Sequence, residues 1–295
     1  MEECEKMARR TDLAMEAREL WRENAGETTK LPGVRAREHT AKGISTTVVE
    51  ILDGRGVRCL GKPVGTYVTL ELEKNLLREP IGFQRAAGKL GKELAAMIPK
   101  TGSVLVVGLG NEAVTPDSIG PQCLRHLVIT RHLGHHFPQL RSVSAIAPGV
   151  LGVTGLESVE VVRGVVERSK PSCVVVVDAL AARRMERLCN TVQLADTGIT
   201  PGSGVGNSRG AFDRDSLGVP VIAVGVPTVV TVSTLLEDVC PNQEEIGREF
   251  SDPSMVVSPK DIDARAAQIS KFLGYGLSMG LHRGLCVEDI SCFIG

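Results

Sequence analysis

The 295-residue chain is poor in aromatic residues: six Phe, two Tyr and one Trp amount to 3%. Its core must therefore be built mainly from Val, Leu, Ile and Ala, as buried parallel strands often are. Charge of one sign is also lacking. The 34 Lys and Arg nearly balance the 35 Asp and Glu, leaving a net charge of −1, so nothing points to a general nucleic-acid or membrane-surface binder. No apolar run approaches the roughly 20 residues that cross a bilayer. The opening MEECEKMARR is charged and lacks the apolar stretch of a secretory signal. The eight cysteines (Cys4, Cys59, Cys123, Cys173, Cys189, Cys240, Cys286 and Cys292) show no C-x-x-C spacing. They read as reduced thiols rather than a disulfide framework or a zinc site. What remains, 42% hydrophobic and 23% charged, suits a soluble globular protein with one large α/β domain or two small ones.

Periodicity supplies the elements. Leu13, Ala17, Leu20 and Trp21 share one face of a helix over 10–24, with Asp12 as its cap. Residues 44–53 and 66–73 alternate and are rich in β-branched side chains. They read as two strands of an antiparallel excursion over about 44–73, with glycine-rich turns between them. A helix follows over 84–98. Short apolar runs at 104–109, 143–146, 173–177, 191–194 and 219–224 then alternate with helical patterns at 118–128 and 156–168, as in a mostly parallel sheet with helices on both faces. Ser258, Pro259 and Asp261 read as a helix start, and the helix could run to about residue 284 despite Gly274, Gly276 and Gly280.

Gly108-Leu-Gly110-Asn-Glu-Ala113 spells the glycine turn of a dinucleotide site. Two features oppose that reading. The helix signal, Thr115-Pro116, comes after the glycines, which puts Asp117 where a phosphate would sit. The next strand also lacks the acidic residue that holds a ribose.

The alternative is that the strand delivers Asp117. Asp178 directly follows Cys173-Val177, and functional groups collect at carboxyl ends of parallel strands. Neighbouring strands would bring the two carboxylates together. Such a pair shares a proton and can act as general base and general acid on water. Asp196 is a reserve carboxylate. The loop containing Gly202, Ser203, Gly204, Gly206 and Asn207 lacks G-K-[ST] and is not a P-loop. Its backbone N–H groups could orient a substrate carbonyl. His132, His135 and His136 cluster beside Arg131, where a metal site is conceivable, but a solvated turn is the better reading.

Arg10-Thr-Asp-Leu-Ala14, Gly108-Leu-Gly-Asn111, Val114-Thr-Pro-Asp117, Ser144-Ala-Ile-Ala-Pro-Gly149, Asp178-Ala-Leu-Ala-Ala-Arg183, Pro201-Gly-Ser-Gly-Val-Gly-Asn207 and Gly225-Val-Pro-Thr228 together resemble the germination proteases of spore-forming bacteria. The resemblance covers most of the chain. It implies an α/β/α sandwich like that of hydrogenase maturation proteases. It also implies an atypical aspartic endopeptidase that initiates degradation of small acid-soluble spore proteins in the spore core, a cytoplasmic compartment. Carried over, Asp117 and Asp178 form the catalytic pair, with no cofactor and no metal. The resemblance further implies a tetrameric zymogen that removes its own N-terminal peptide. The cut would fall between Asp12 and Leu13, leaving residues 1–12 as propeptide and 13–295 as one protease domain. Such a cut calls for an exposed, locally unfolded segment there, a reading preferred over the competing helix.

This chain departs from longer relatives in a shorter segment between residues 228 and 258. It also carries Thr200 where many relatives carry His. A metal-dependent maturation-type protease of the same fold is the alternative reading. Thr200 could not supply the His that those proteases use beside two acidic residues.

Overall fold

Two kinds of strand pairing meet in one nine-stranded sheet. The computed structural model describes residues 11–25, 31–134, 136–206, 209–239 and 255–294. In chain order the first elements are α1 (Ala14–Ala25), β1 (Val34–Ala41), β2 (Ile44–Ile51), α2 (Gly54–Leu60), β3 (Gly65–Leu72), α3 (Pro80–Met97), β4 (Val104–Gly108) and α4 (Ile119–Leu124). After these come β5 (Val143–Ile146), α5 (Leu151–Thr154), α6 (Ser158–Ser169), β6 (Cys173–Ala181), β7 (Thr191–Ala195), α7 (Arg214–Leu217) and β8 (Val221–Thr231). The last are α8 (Val232–Val239), β9 (Val256–Val257), α9 (Ile262–Leu281) and α10 (Val287–Ile294).

The strands lie in the order β1-β2-β3-β7-β8-β6-β4-β5, with β9 paired to the end of β8, and the half from β8 to β5 is parallel. The half from β1 to β7, and its junction with β8, is antiparallel. The expected antiparallel excursion is therefore present, and β7 joins it to the same sheet as the buried strands.

Alternate residues of each strand feed opposite cores, as the period of two requires. Val175 and Val177 of β6 pack with Leu90 of α3, Cys123 of α4 and Leu273 of α9. Val174 and Val176 pack with Val162 and Val166 of α6. Val49 and Tyr67, from the antiparallel half, pack with Ala14 and Ala17 of α1. Helices thus cover both faces, giving three layers.

The glycines of α9 weaken the helical pattern in sequence, yet α9 is continuous to Leu281. A Cβ on Gly91 of α3 would lie 2.9 Å from Gly276 O and 2.9 Å from Gly280 N. These glycines let α3 and α9 touch backbone to backbone.

Several local expectations are corrected. The glycine-rich stretch after β2 is not only turn. Asp53 accepts from Arg55 N–H at 2.8 Å and caps α2, which Gly61 ends at φ 64°. Strand β1 reads as polar because it is a largely exposed edge, where charges guard against further pairing. Ser258 does not cap α9: its hydroxyl donates to Thr228 O at 2.9 Å, and the helix starts at Ile262.

Candidate active site

Asp117 is placed by the glycine turn that follows β4. Leu109 N–H donates to Val177 O at 2.8 Å, extending the β4–β6 pairing by one residue. The chain then turns at Gly110, whose φ is +113°. A Cβ there would collide with the backbone oxygen of Asp117. A Cβ on Gly120 would lie 2.7 Å from Val177 O, and one on Gly108 would lie 2.5 Å from Gly120 O. The glycines therefore let the start of α4 press on the ends of β4 and β6. The expected helix at Pro116 is a 3₁₀ turn, Thr115–Asp117, and α4 begins only at Ile119. The Asp117 carboxylate accepts from Asn111 N–H at 2.7 Å. Burial raises its pKa, and the Asn111 hydrogen bond opposes that shift.

Asp178 lies within β6 rather than beyond its end, because the strand continues to Ala181. It is 4% exposed and stands one residue beyond Val177, the last residue of β6 that pairs with β4. Across the sheet Asp178 pairs with Gly225, Gly225 with Gln193, and Gln193 with Thr69. Directly paired residues point to one face, so Asp178 and Gln193 flank the bare backbone of Gly225. Burial pushes Asp178 well above the carboxylate range, and the charges of Asp117 and then Asp12 add to the rise, against a hydrogen bond from Ala179 N–H. Two carboxylates in this relation favour sharing one proton.

Residues 11–16 run through this region. The expected exposed segment is instead buried: Thr11 is 2%, Leu13 0% and Ala14 0% exposed. Asp12 makes a two-way backbone and side-chain contact with β6. Its N–H donates to Ala181 O at 3.1 Å, and its carboxylate accepts from Ala181 N–H at 2.9 Å. Ser203 Oγ donates to the same carboxylate at 2.9 Å. Leu13 enters an apolar cluster with Leu180, Ala182, Leu188 and Val230. Gln193 Nε2 donates to the Asp12 carbonyl at 3.1 Å, and Gln193 Oε1 accepts from Ala14 N–H at 2.7 Å. Lys62 Nζ donates to Thr11 O at 3.3 Å. Burial pulls this ammonium down, while Asp12 and Glu16 hold it up.

Glu16 closes the segment. It is 1% exposed, and it accepts from Thr11 Oγ1, Arg183 N–H, Arg184 N–H and Arg187 Nη1. Arg187 also reaches Glu19 and Glu71. Burial lowers the Arg187 pKa, but these hydrogen bonds and the charge of Glu16 outweigh it and leave the group above its ordinary value.

The other sequence candidates fall as follows. A cavity of about 270 Å³ lies beside Asp12, lined among others by Lys62, Tyr67, Thr200, Ser203 and Gly225. Asp196 is exposed and accepts from Thr66 N–H at 2.7 Å, so it fastens the start of β3 and does not join Asp117 and Asp178. Gly202 and Gly206 bracket a 3₁₀ turn with left-handed backbone at φ 73° and 71°. The N–H groups of Ser203, Val205 and Gly206 are spent on that turn. The loop therefore reaches Asp12 through the Ser203 hydroxyl and not through a row of unpaired N–H groups. Gly204 lies where a Cβ would overlap the Asp12 carboxylate. Asn207, His135 and residues 1–10 lie outside the described residues. Among the described residues, no group of three His, Cys, Asp or Glu side chains could hold a metal ion. No described helix is long and apolar enough to cross a membrane.

Sequence reasoning missed Gln193, Glu16 and Arg187. A glutamine inside the apolar run Thr191–Ala195 was the available signal, since a buried carboxamide needs partners.

A family model described as germination protease matches residues 14–254. A germination protease of Caldanaerobacter subterraneus subsp. tengcongensis is 42% identical, over 96% of this chain and 97% of the relative. One from Clostridium perfringens is 38% identical, over 97% of this chain and 98% of the relative. One from Bacillus licheniformis is 41% identical, over 95% of this chain and 76% of the relative. Among solved structures, a NiFe hydrogenase maturation protease from Thermococcus kodakarensis is 15% identical with a TM-score of 0.33, covering 63% of this chain and 98% of that one. On the extent of the family match and these identities, the chain belongs to the germination protease family and is a peptidase.

Proposed function

We propose that this peptidase is an aspartic endopeptidase that begins the breakdown of small acid-soluble spore proteins in the spore core. In this reading it is made as a tetrameric zymogen and frees itself of residues 1–12 by cutting the Asp12–Leu13 bond. The observation that carries the reading is the pair of half-buried Asp117 and buried Asp178 at the ends of neighbouring strands, each with a raised pKa.

Asp178, the more strongly raised, keeps the shared proton, and Asp117 is the ionised partner. Asp117 takes a proton from water as the water oxygen attacks the scissile carbonyl carbon. Asp178 gives its proton to the carbonyl oxygen. When the tetrahedral intermediate collapses, the carbonyl re-forms and returns that proton to Asp178, while Asp117 passes its proton to the leaving amine. The pair ends as it began. Apolar walls favour the neutral form of Asp178, and with one carboxyl neutral its neighbour can stay ionised.

The test is cleavage of a purified small acid-soluble spore protein by the full chain and by its Asp117→Asn and Asp178→Asn variants, with and without a chelator. Supporting results are cleavage by the unsubstituted chain, insensitivity to the chelator, and loss of activity in both variants. Full activity in either Asn variant, or loss of activity with the chelator and its return with added metal, would overturn it.

A further inference from the structure

Gln193 bridges the two peptide groups that flank Leu13. Its Nε2 donates to the carbonyl on one side of Leu13, and its Oε1 accepts from the N–H on the other side. Those partners settle the orientation of the carboxamide, because a carbonyl requires a donor and an N–H requires an acceptor. The side chain is 7% exposed and stands on the same face as Asp178, one strand beyond Gly225. Three more contacts fix the same stretch: Asp12 on Ala181, the Asp12 carboxylate on Ser203, and Thr11 O on Lys62.

We propose that Gln193 is a further catalytic residue, whose Nε2–H holds the carbonyl oxygen of the bond being cut and stabilises the negative charge that grows there. This rests on the proposed cut between Asp12 and Leu13. No other donor to that oxygen is recorded among the described residues. The N–H groups of Ser203, Val205 and Gly206, which the sequence offers for this task, are engaged within the loop. A donor set in a buried strand needs little rearrangement as charge develops, which is where such groups contribute most. Gly225 suits the same arrangement, since its bare backbone admits the Leu180 side chain between Asp178 and Gln193, and Leu180 packs against Leu13 beside the bond.

A structural role is the competing explanation, because Gln193 Oε1 also satisfies an N–H in the first turn of α1. The variant Gln193→Glu separates the two when its rate is read against pH: ionised, it keeps the acceptor for Ala14 N–H and lacks the donor to Asp12 O, whereas protonated, the form burial favours, it can supply both, so its deficit should grow as pH rises. The measurement is the first-order appearance, by mass spectrometry, of chain beginning at Leu13. It is made on the purified full chain, on Gln193→Glu and on Asp178→Asn, with melting curves for each. The expected result is a rate for Gln193→Glu that drops, as pH rises, to about 10²–10³-fold below that of the unsubstituted chain at a temperature where both remain folded. If the unsubstituted chain does not cut itself, or if Asp178→Asn cuts normally, the underlying peptidase reading fails. If those controls behave and Gln193→Glu cuts within about threefold of the unsubstituted chain at every pH, a margin well under the loss of one donor, only the Gln193 proposal fails. A second measurement leaves Gln193 intact. In uncut Asp178→Asn the Gln193 carboxamide protons should exchange slowly with solvent, and exchange at the rate of an exposed amide would overturn the proposal independently of the variant's folding.

Discussion

The two halves of the sheet differ in how they are built and in what they contribute. The parallel half is continuous apolar strand: residues 173–177 of β6 are buried without interruption, and so is all of β4. Its carboxylates are Asp178 and, past β4, Asp117, and its other buried polar residues, Thr228 and Thr231, lie at the end of β8. The antiparallel half alternates and carries polar groups inside, including Thr47, Thr69 and Gln193. The candidate carboxylates thus stand on one half and the side chain gripping residues 12–14 on the other. They meet where β7 joins β8, across Gly225. A parallel sheet can bury an acid and raise its pKa. The neighbouring antiparallel strand can offer a donor and acceptor at the same level, because its side chains are not all needed for the core.

That division suggests where each half can be broken. The largest effect belongs to the parallel half. Asp178→Asn should lower cleavage by about a thousandfold or more, roughly 4 kcal/mol in transition-state terms, in an assay of spore-protein degradation. The same change should act oppositely on stability. The folded Asp178 carboxyl binds its proton more tightly than the unfolded one. Stability is therefore complete below the unfolded carboxylate range and falls as pH rises through the folded pKa. Melting temperatures measured from about pH 4 to about pH 8 should fall more steeply for the unsubstituted chain than for Asp178→Asn.

Next in size is the anchor of residues 11–16. Arg187→Ala removes the cation beside buried Glu16, and denaturant unfolding should show a loss of about 3–5 kcal/mol. A loss under about 1 kcal/mol, the scale of exposed pairs, would mean that Glu16 is held by the backbone of Arg183 and Arg184 alone.

Gly225→Ala probes the junction itself. A Cβ there would collide with the Leu180 side chain, and overpacking should cost about 1–3 kcal/mol of stability. Because Leu180 packs with Leu13, self-cleavage should slow as well. The smallest effect is expected for Asp196→Asn: a change of about 1 kcal/mol in stability and cleavage close to that of the unsubstituted chain. A collapse of activity there would move Asp196 into the chemistry.

Much of the parallel half was legible in the sequence, because short apolar runs bounded by turn residues have few other uses. Asp178 stood out for the same reason, as a charge attached to four valines. Its place inside the strand was not legible, since Ala179–Ala181 extends β6 only by pairing with β8 beyond the end of β4. The glycines after β4 imitate a nucleotide turn, and only their contacts reveal that they admit α4. The antiparallel half hid its contributions better. Strand β1 is a charged edge, and α2 begins in a run of glycines that reads as turn. Gln193 looks like an interruption of a strand until residues 12–14 are seen against it. The buried state of Leu13 was equally hidden, because its partners Leu180, Leu188 and Val230 lie more than 160 residues away in sequence.

The most direct test of the central account, that Asp117 and Asp178 act together on a bond lying in their own site, is the N-terminus of the purified full chain after incubation at mildly acidic pH. The account predicts a new terminus at Leu13 in the unsubstituted chain and an intact chain in Asp117→Asn. A terminus at Leu13 that forms equally fast in Asp117→Asn, or a chain that is cut elsewhere and never at Leu13, would contradict it.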